Sequence, residues 1–263
     1  MLSYQHIYHA GNLADVHKHS LLAWALAYMT RKDKPLSYLE THAGRGLYDL
    51  SDAASVKTGE AAKGIGRTKD WFPPDHPYRR VLERVRQSRR PYAYPGSPLI
   101  AAEILRASDT LHLCELHPKE FAALETALAG YGAEPKQRNG LDMALSLCPP
   151  TPRRGMLLVD PSYEVKSDYQ TIPATLTKIH RKWGVGVLVL WYPILDSAPH
   201  KPMIGALTSA IPDAHVHEVK FPPARSGHRM VGSGLFVVNA PYGFAREAAR
   251  LSKLFEDHQQ ALM

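Results

Sequence analysis

The chain has 263 residues, 44% of them hydrophobic, and its 32 basic against 25 acidic side chains give a formal charge of +7. That length is enough for one large α/β domain, or for a domain carrying an insertion. No run of about 18 apolar residues is present, and the start MLSYQHIYHAGNLADVHKHS lacks the basic-then-apolar order of a signal peptide; a membrane protein or an exported one is not expected, and the cytoplasm is.

The first element is NLADVHKHSLLAWALAYMTRK, where Val16, Leu21, Leu22, Ala25, Leu26 and Met29 recur at helical spacing and predict a helix near 13–32. LSYLETHAGRG follows, an apolar strand running into a turn with Gly44 and Gly46. From about 49 to 92 the composition becomes polar, basic and proline-containing. A helical insertion subdomain is expected there, inside a domain made of 1–48 and 93–263. Arginines 79, 80, 84, 86, 89 and 90 crowd the end of that segment around Glu83, with Tyr92 and Tyr94 beyond them. On a helix Arg86, Arg89 and Arg90 fall on one face, and with Arg84 they are candidate phosphate contacts; the alternative is a solvated helix face. The basic balance raises the expectation of a polyanionic partner.

After the insertion, LIAAEILRA, TLHLCEL, PKEFAALETALAGY, GMLLVDPSYE, PATLTKIHRKW, VGVLVLWYPI, PMIGALTSAI, AHVHEVKF and SGLFVVNAPY alternate helix and strand. This pattern predicts a doubly wound, mostly parallel sheet, closed by an antiparallel hairpin of the last two strands. Cys114 and Cys148 sit in apolar contexts without CxxC spacing and read as buried free thiols. Histidines 6, 9, 17, 19 and 42 invite a metal reading. His17 and His19, two apart on a helix, face different ways, and no cysteine or paired carboxylate completes a ligand set, so no metal is expected. His9 and His17 read as surface or capping residues.

In such sheets ligands bind beyond the carboxyl ends of the strands. Those ends carry the THAGRG turn, Glu115 after TLHLC, Asn139 and Gly140 in RNGLD, and Asp160 after GMLLV. An acid after the second strand stands where such folds hydrogen-bond a ribose diol, so one nucleoside-shaped ligand would satisfy all four positions. Each piece alone is weak, since a glycine turn is often mere packing and a terminal acid often a helix cap.

THAGRG, the strand-end Glu115 and DPSYE together resemble the class I S-adenosylmethionine-dependent amino-methyltransferases, whose fourth motif is Asp/Asn-Pro-Pro-Tyr/Phe. The blocks MLSYQHIYHAGNLADVHKH, YLETHAGRGLYDL, TGEAAKGIGR, YPGSPLIA, ELHP, DPSYE with DYQ, and LWYP resemble the RlmJ family of 23S rRNA adenine-N6 methyltransferases more closely. The resemblance implies a Rossmann-like α/β fold, S-adenosyl-L-methionine as cofactor and 23S rRNA as partner, with a monomer expected. It implies cofactor contacts from Lys18, His19, His42, Ser97, Glu115, Asn139, Gly140 and Asp160, Asn139 standing where the family commonly has an acid. Its catalytic residues would be Asp160, Pro161 and Tyr163, with Tyr4 and His6 approaching the target base. Tyr163 would stack on a base turned out of its helix or loop. The sequence departs from the motif at Ser162, which restores a backbone N–H and loosens φ where a second proline is usual. Tyr169 and Trp191 read either as aromatic surfaces for RNA or as core. An amino-methyltransferase of DNA adenine or of a protein glutamine, and a non-catalytic RNA-binding relative, remain open beside the rRNA enzyme.

Overall fold

The computed structural model describes residues 4–225 and 227–261. A short 3-10 turn, His6–Tyr8, leads into α1 (Leu13–Met29), whose first turn is capped by the Asn12 side chain accepting from the Asp15 amide at 2.9 Å. Helix α1 ends at Met29, earlier than its periodicity suggests, and the Thr30 hydroxyl beyond it donates back to the carbonyls of Leu26 and Ala27. Then come β1 (Ser37–Glu40) and β2 (Leu47–Asp49). Helices α2 (Ala53–Thr58), α3 (Glu60–Lys63) and α4 (Pro77–Ser88) precede β3 (Ala93–Pro95), which pairs antiparallel with β2. The rest alternates: α5 (Ser97–Ile104), β4 (Thr110–Leu113), α6 (Pro118–Ala127), α7 (Gly140–Leu147), β5 (Gly155–Val159), α8 (Asp168–Lys182), β6 (Val187–Leu195) and α9 (His200–Ala210), then β7 (His215–Lys220), β8 (Met230–Val238) and α10 (Phe244–Gln260).

The main sheet has the order β4-β1-β5-β6-β8-β7. The first four strands are parallel, and β8 runs antiparallel between β6 and β7, so the closing hairpin is present as expected. An isolated bridge from Cys114 to Lys136 marks the edge beyond β4.

The alternation of β5 explains its unbroken apolar run. Met156 and Leu158 join the core formed with α1, α4, α5 and α10, while Leu157 and Val159 join a second core with α7, α8 and α9. A parallel strand covered on both faces has no polar side to show. Helix α1 is buried nearly all round, held among α4, α5, α10 and β8, so it lacks the apolar stripe of a surface helix. Helix α4 does keep such a stripe: Tyr78, Val81, Leu82 and Val85 face inward and Arg80 and Arg84 outward. Both cysteines are buried and free. Among the described residues, no helix is long and apolar enough to cross a membrane.

Candidate active site

The carboxyl ends of β1, β4, β5 and β6 open into a cleft of about 1120 Å³. The turn after β1 forms one wall. Gly44 stands at φ +61°, in the left-handed region that glycine tolerates, and its amide donates to Glu115 Oε2 at 2.8 Å; Glu115 Oε1 accepts from the His117 amide at 2.7 Å. Burial raises the Glu115 carboxyl above its ordinary range against the pull of these amides. Gly140 opens α7 against the same turn, so close that a Cβ there would lie 2.0 Å from the Thr41 carbonyl oxygen. At the floor, Glu40 accepts from the hydroxyls of Ser97 and Tyr38, the latter at 2.9 Å, and burial lifts its carboxyl to about 8. His42 packs beside Thr41 with Nδ1 and Oγ1 2.7 Å apart; burial pulls its imidazole down to about 4, opposed by Asp160.

The N-terminal segment closes the opposite side through Asp15, a fully buried carboxylate that the sequence reading missed. Asp15 Oδ2 accepts from His6 Nε2 and from the Gly11 amide, both at 2.9 Å, and Oδ1 lies 3.3 Å from Lys18 Nζ. With its Nε2–H given to Asp15, His6 presents Nδ1 to the Tyr4 hydroxyl at 2.7 Å. Burial alone would raise Asp15, but His6, His19 and Lys18 hold it well below the usual carboxylate range. Lys18 Nζ reaches across the cleft to Asp160 Oδ2 at 2.5 Å and lies 5.2 Å from the centre of the Trp191 ring. Burial would strip its proton; Asp160 and Asp15 outweigh burial and raise its pKa above the ordinary lysine value. The local signal for Asp15 was its spacing, three residues before Lys18 and four before His19 on one helix face.

All the residues expected to contact cofactor or base, Tyr4 and His6 included, line this cleft. His19 does so from a dry position, its Nδ1 2.9 Å from the Tyr94 hydroxyl and burial pulling its imidazole down to about 3. Asn139 Oδ1 caps α7 by accepting from the Leu141 and Asp142 amides, which leaves its NH2 to offer a ligand. Tyr163 stands at φ +57°, its ring 4.5 Å from that of Tyr169 and its hydroxyl donating to the Trp191 carbonyl at 2.9 Å.

The shared arginine face is corrected. Helix α4 stops at Ser88, so Arg89 is its cap and Arg90 lies beyond it. Arg84 pairs with Glu103, Arg89 donates to the Ala127 carbonyl, Arg90 pairs with Asp49, and Arg86 Nε is buried with no hydrogen-bond partner among the described residues. None of the four lines the cleft. The surface or capping role of His17 is also corrected: it is fully buried, with Nδ1 2.8 Å from Ser233 Oγ and Nε2 2.9 Å from His217 Nδ1. Tertiary pairing with β7 and β8 makes this possible, and no local pattern announces it. His9 is half-buried against Glu60.

A sheet of this order, with its last strand antiparallel, a glycine turn after β1, an acid after β4 and Asp-Pro-Ser-Tyr after β5, defines a class I S-adenosylmethionine-dependent methyltransferase. The chain belongs to the family described as ribosomal RNA large subunit methyltransferase D, RlmJ, whose model matches residues 33–258. It is 36% identical over 249 residues to the ribosomal RNA large subunit methyltransferase J of Escherichia coli (strain K12), covering 92% of this chain and 88% of the relative. The enzyme of the same name from Haemophilus influenzae (strain ATCC 51907 / DSM 11121 / KW20 / Rd) is 36% identical over 250 residues, with the same coverage. A solved Legionella pneumophila (str. Philadelphia 1) protein superposes with a TM-score of 0.84 at 34% identity, over 95% of this chain and 94% of that one. S-adenosylmethionine is the cofactor of the class, and the cleft fits it: the half-buried Glu115 carboxyl sits beside the left-handed Gly44 turn, and Gly140 packs on the Thr41 backbone with no room for a Cβ.

Proposed function

We propose that the protein methylates the exocyclic N6 of an adenosine in 23S rRNA, working in the cytoplasm as a monomer. The observation that carries this reading is Asp160, set in Asp-Pro-Ser-Tyr at the end of β5 and gripped by Lys18 at 2.5 Å, between the Glu115 pocket and the Tyr4–His6 pair. When bound, S-adenosylmethionine supplies an electrophilic methyl group. Glu115, the Gly44 and Gly140 backbone and the Asn139 amide hold its nucleoside end, and Ser97, His42 and Lys18 border the rest.

An adenine amino group is a poor nucleophile because its lone pair is delocalised into the ring. Asp160 Oδ1 accepts one N–H and a backbone carbonyl of Asp160-Pro161 the other, which localises the lone pair toward the methyl group. Positive charge growing on that nitrogen is stabilised by the preorganised carboxylate, which then takes the released proton. Lys18, tied to both Asp15 and Asp160, fixes the orientation of Oδ2 so that Oδ1 faces the base. Tyr163 and Tyr169 form the aromatic wall on which the base stacks.

Phosphate binding by the arginines requires exchanging existing partners. For Arg84 and Arg90 the exchange is easy: their side chains are 47% and 61% exposed, and surface ion pairs are worth only about 0–1 kcal/mol. The test is methyl transfer from labelled S-adenosylmethionine to unmodified 23S rRNA, followed by nucleoside digestion and mass analysis. Labelled N6-methyladenosine, strongly reduced in Asp160→Ala, is the expected result. Label appearing only in DNA or in a protein glutamine would replace the substrate, and cofactor binding without any transfer would leave an RNA-binding relative.

A further inference from the structure

We propose that His9, Glu60 and His228 form a binding site for a transition-metal dication of the zinc type, which clips the N-terminal segment to the body of the enzyme. The three residues come from the turn before α1, from the start of α3 and from the β7–β8 connection, and one ligand atom of each lies within 4.8 Å of the others. His9 Nδ1 is 3.0 and 3.1 Å from the two Glu60 oxygens, and His228 Nε2 is 3.9 Å from Oε1. Tetrahedral coordination at about 2.0–2.1 Å places donor atoms about 3.3 Å apart, so both observed separations lie within a side-chain adjustment of a coordination shell.

The donor set is right for such an ion. Two imidazoles and one carboxylate suit zinc and its neighbours, not calcium or magnesium. Glu60 is buried, and among the described residues its carboxylate pairs with no lysine or arginine: it meets His9, His228 and the Asn12 amide, whose Nδ2 donates to Oε2 at 3.1 Å. That Asn12 contact orients the carboxylate from outside the ligand set, as metal sites require. His228 would ligate through Nε2; its buried Nδ1 has no hydrogen-bond partner among the described residues, so the outer contact that metal-bound imidazoles ordinarily make comes only from Asn12 on Glu60. An adjoining cavity of about 220 Å³ leaves room for a water as the fourth ligand. Lys63 and Arg67 border that cavity and oppose a cation; Lys63 is drawn aside to the Ala224 carbonyl.

The site bears on the cleft because the Tyr4 ring stacks on His9, with centroids 5.7 Å apart and an 8° tilt. An ion bound to His9 therefore pins the residue that bonds His6.

The experiment uses full-length protein without a histidine tag, stripped with chelator and titrated with Zn²⁺ by calorimetry and with Co²⁺ by visible absorption. One equivalent should bind, raise the melting temperature, and give the intense bands of four-coordinate Co²⁺. Loss of a direct ligand should weaken binding by at least the ~10–100-fold seen for outer partners, in His228→Gln and in Glu60→Gln alike. Absence of a stoichiometric equivalent, or affinity unchanged in both variants, overturns the proposal. If Glu60→Gln fails to fold, X-ray absorption of the zinc-loaded wild type decides instead. Two imidazoles with oxygen donors support the site, and any other ligand set removes it.

Discussion

At the scale of single residues, Asp160 and Lys18 have opposite dependences on their surroundings. Asp160 faces the cleft, whereas Lys18 is buried and keeps its charge only because two carboxylates flank it. Asp160→Ala should therefore lower the rate of methyl transfer on the order of 10²–10³-fold, as loss of a preorganised electrostatic group does. Asp15 still neutralises Lys18 in that variant, so circular dichroism should show the native fold. Undiminished turnover would remove Asp160 from the chemistry. Gly140→Ala is a packing test of the same site. Its methyl group meets Thr41 backbone, which cannot swing away as a side chain can, so S-adenosylmethionine binding by calorimetry should be lost or weakened at least tenfold. Glu40 makes the pH prediction. Its folded-state value of about 8 lies above the ordinary 4.5, so the stability it contributes is full below pH 4.5 and is lost as pH rises through about 8. Denaturant melts of Glu40→Gln across that window should show a flatter decline than wild type; an equal slope would mean the burial of Glu40 is relieved in solution.

At the scale of elements, the central strands and α1 carry the core. Leu158 on β5 is fully buried between β1 and β6, and Leu158→Ala should cost about 2–5 kcal/mol, measured as a shift in the urea midpoint at constant slope. Helix α1 is joined to β7, β8 and α10 by a polar chain: Trp191 Nε1 donates to Ser233 Oγ, which meets His17, then His217, then Ser252 Oγ at 2.7 Å. Burial lowers both imidazoles, His217 to about 4. A depressed folded-state value means that this contribution is present above pH 6.5 and lost as pH falls through about 4. His217→Gln should shrink the acid loss of stability over that range, read from thermal melts.

For the whole molecule, the charge of +7 is a statement about partners and not about fold. If arginines such as Arg84 and Arg90 exchange their carboxylates for RNA phosphates, log K for RNA should fall linearly with log salt, with a slope of about −0.7 to −0.9 per phosphate neutralised. Arg90→Glu should reduce that slope by about one and leave S-adenosylmethionine affinity unchanged. A slope identical to wild type would place the RNA elsewhere on the surface.

The sequence by itself determined the alternation of elements, the closing hairpin, the strand-end positions of Glu115 and Asp160 and the turn carrying Asn139 and Gly140, because periodicity and punctuation are local and the chain carries them in order. The double-sided burial of β5 was equally legible in Met156 to Val159. Only the tertiary structure decided the pairings. Asp160 meets Lys18 across 142 positions, His17 meets Ser233 across 216, and Glu60 meets His9 across 51. Burial decides the ionisation of such groups, and burial depends on which helices cover them. The arginine face failed for a related reason: helical spacing predicts a shared face only while the helix lasts, and Ser88 ends it before Arg89 and Arg90.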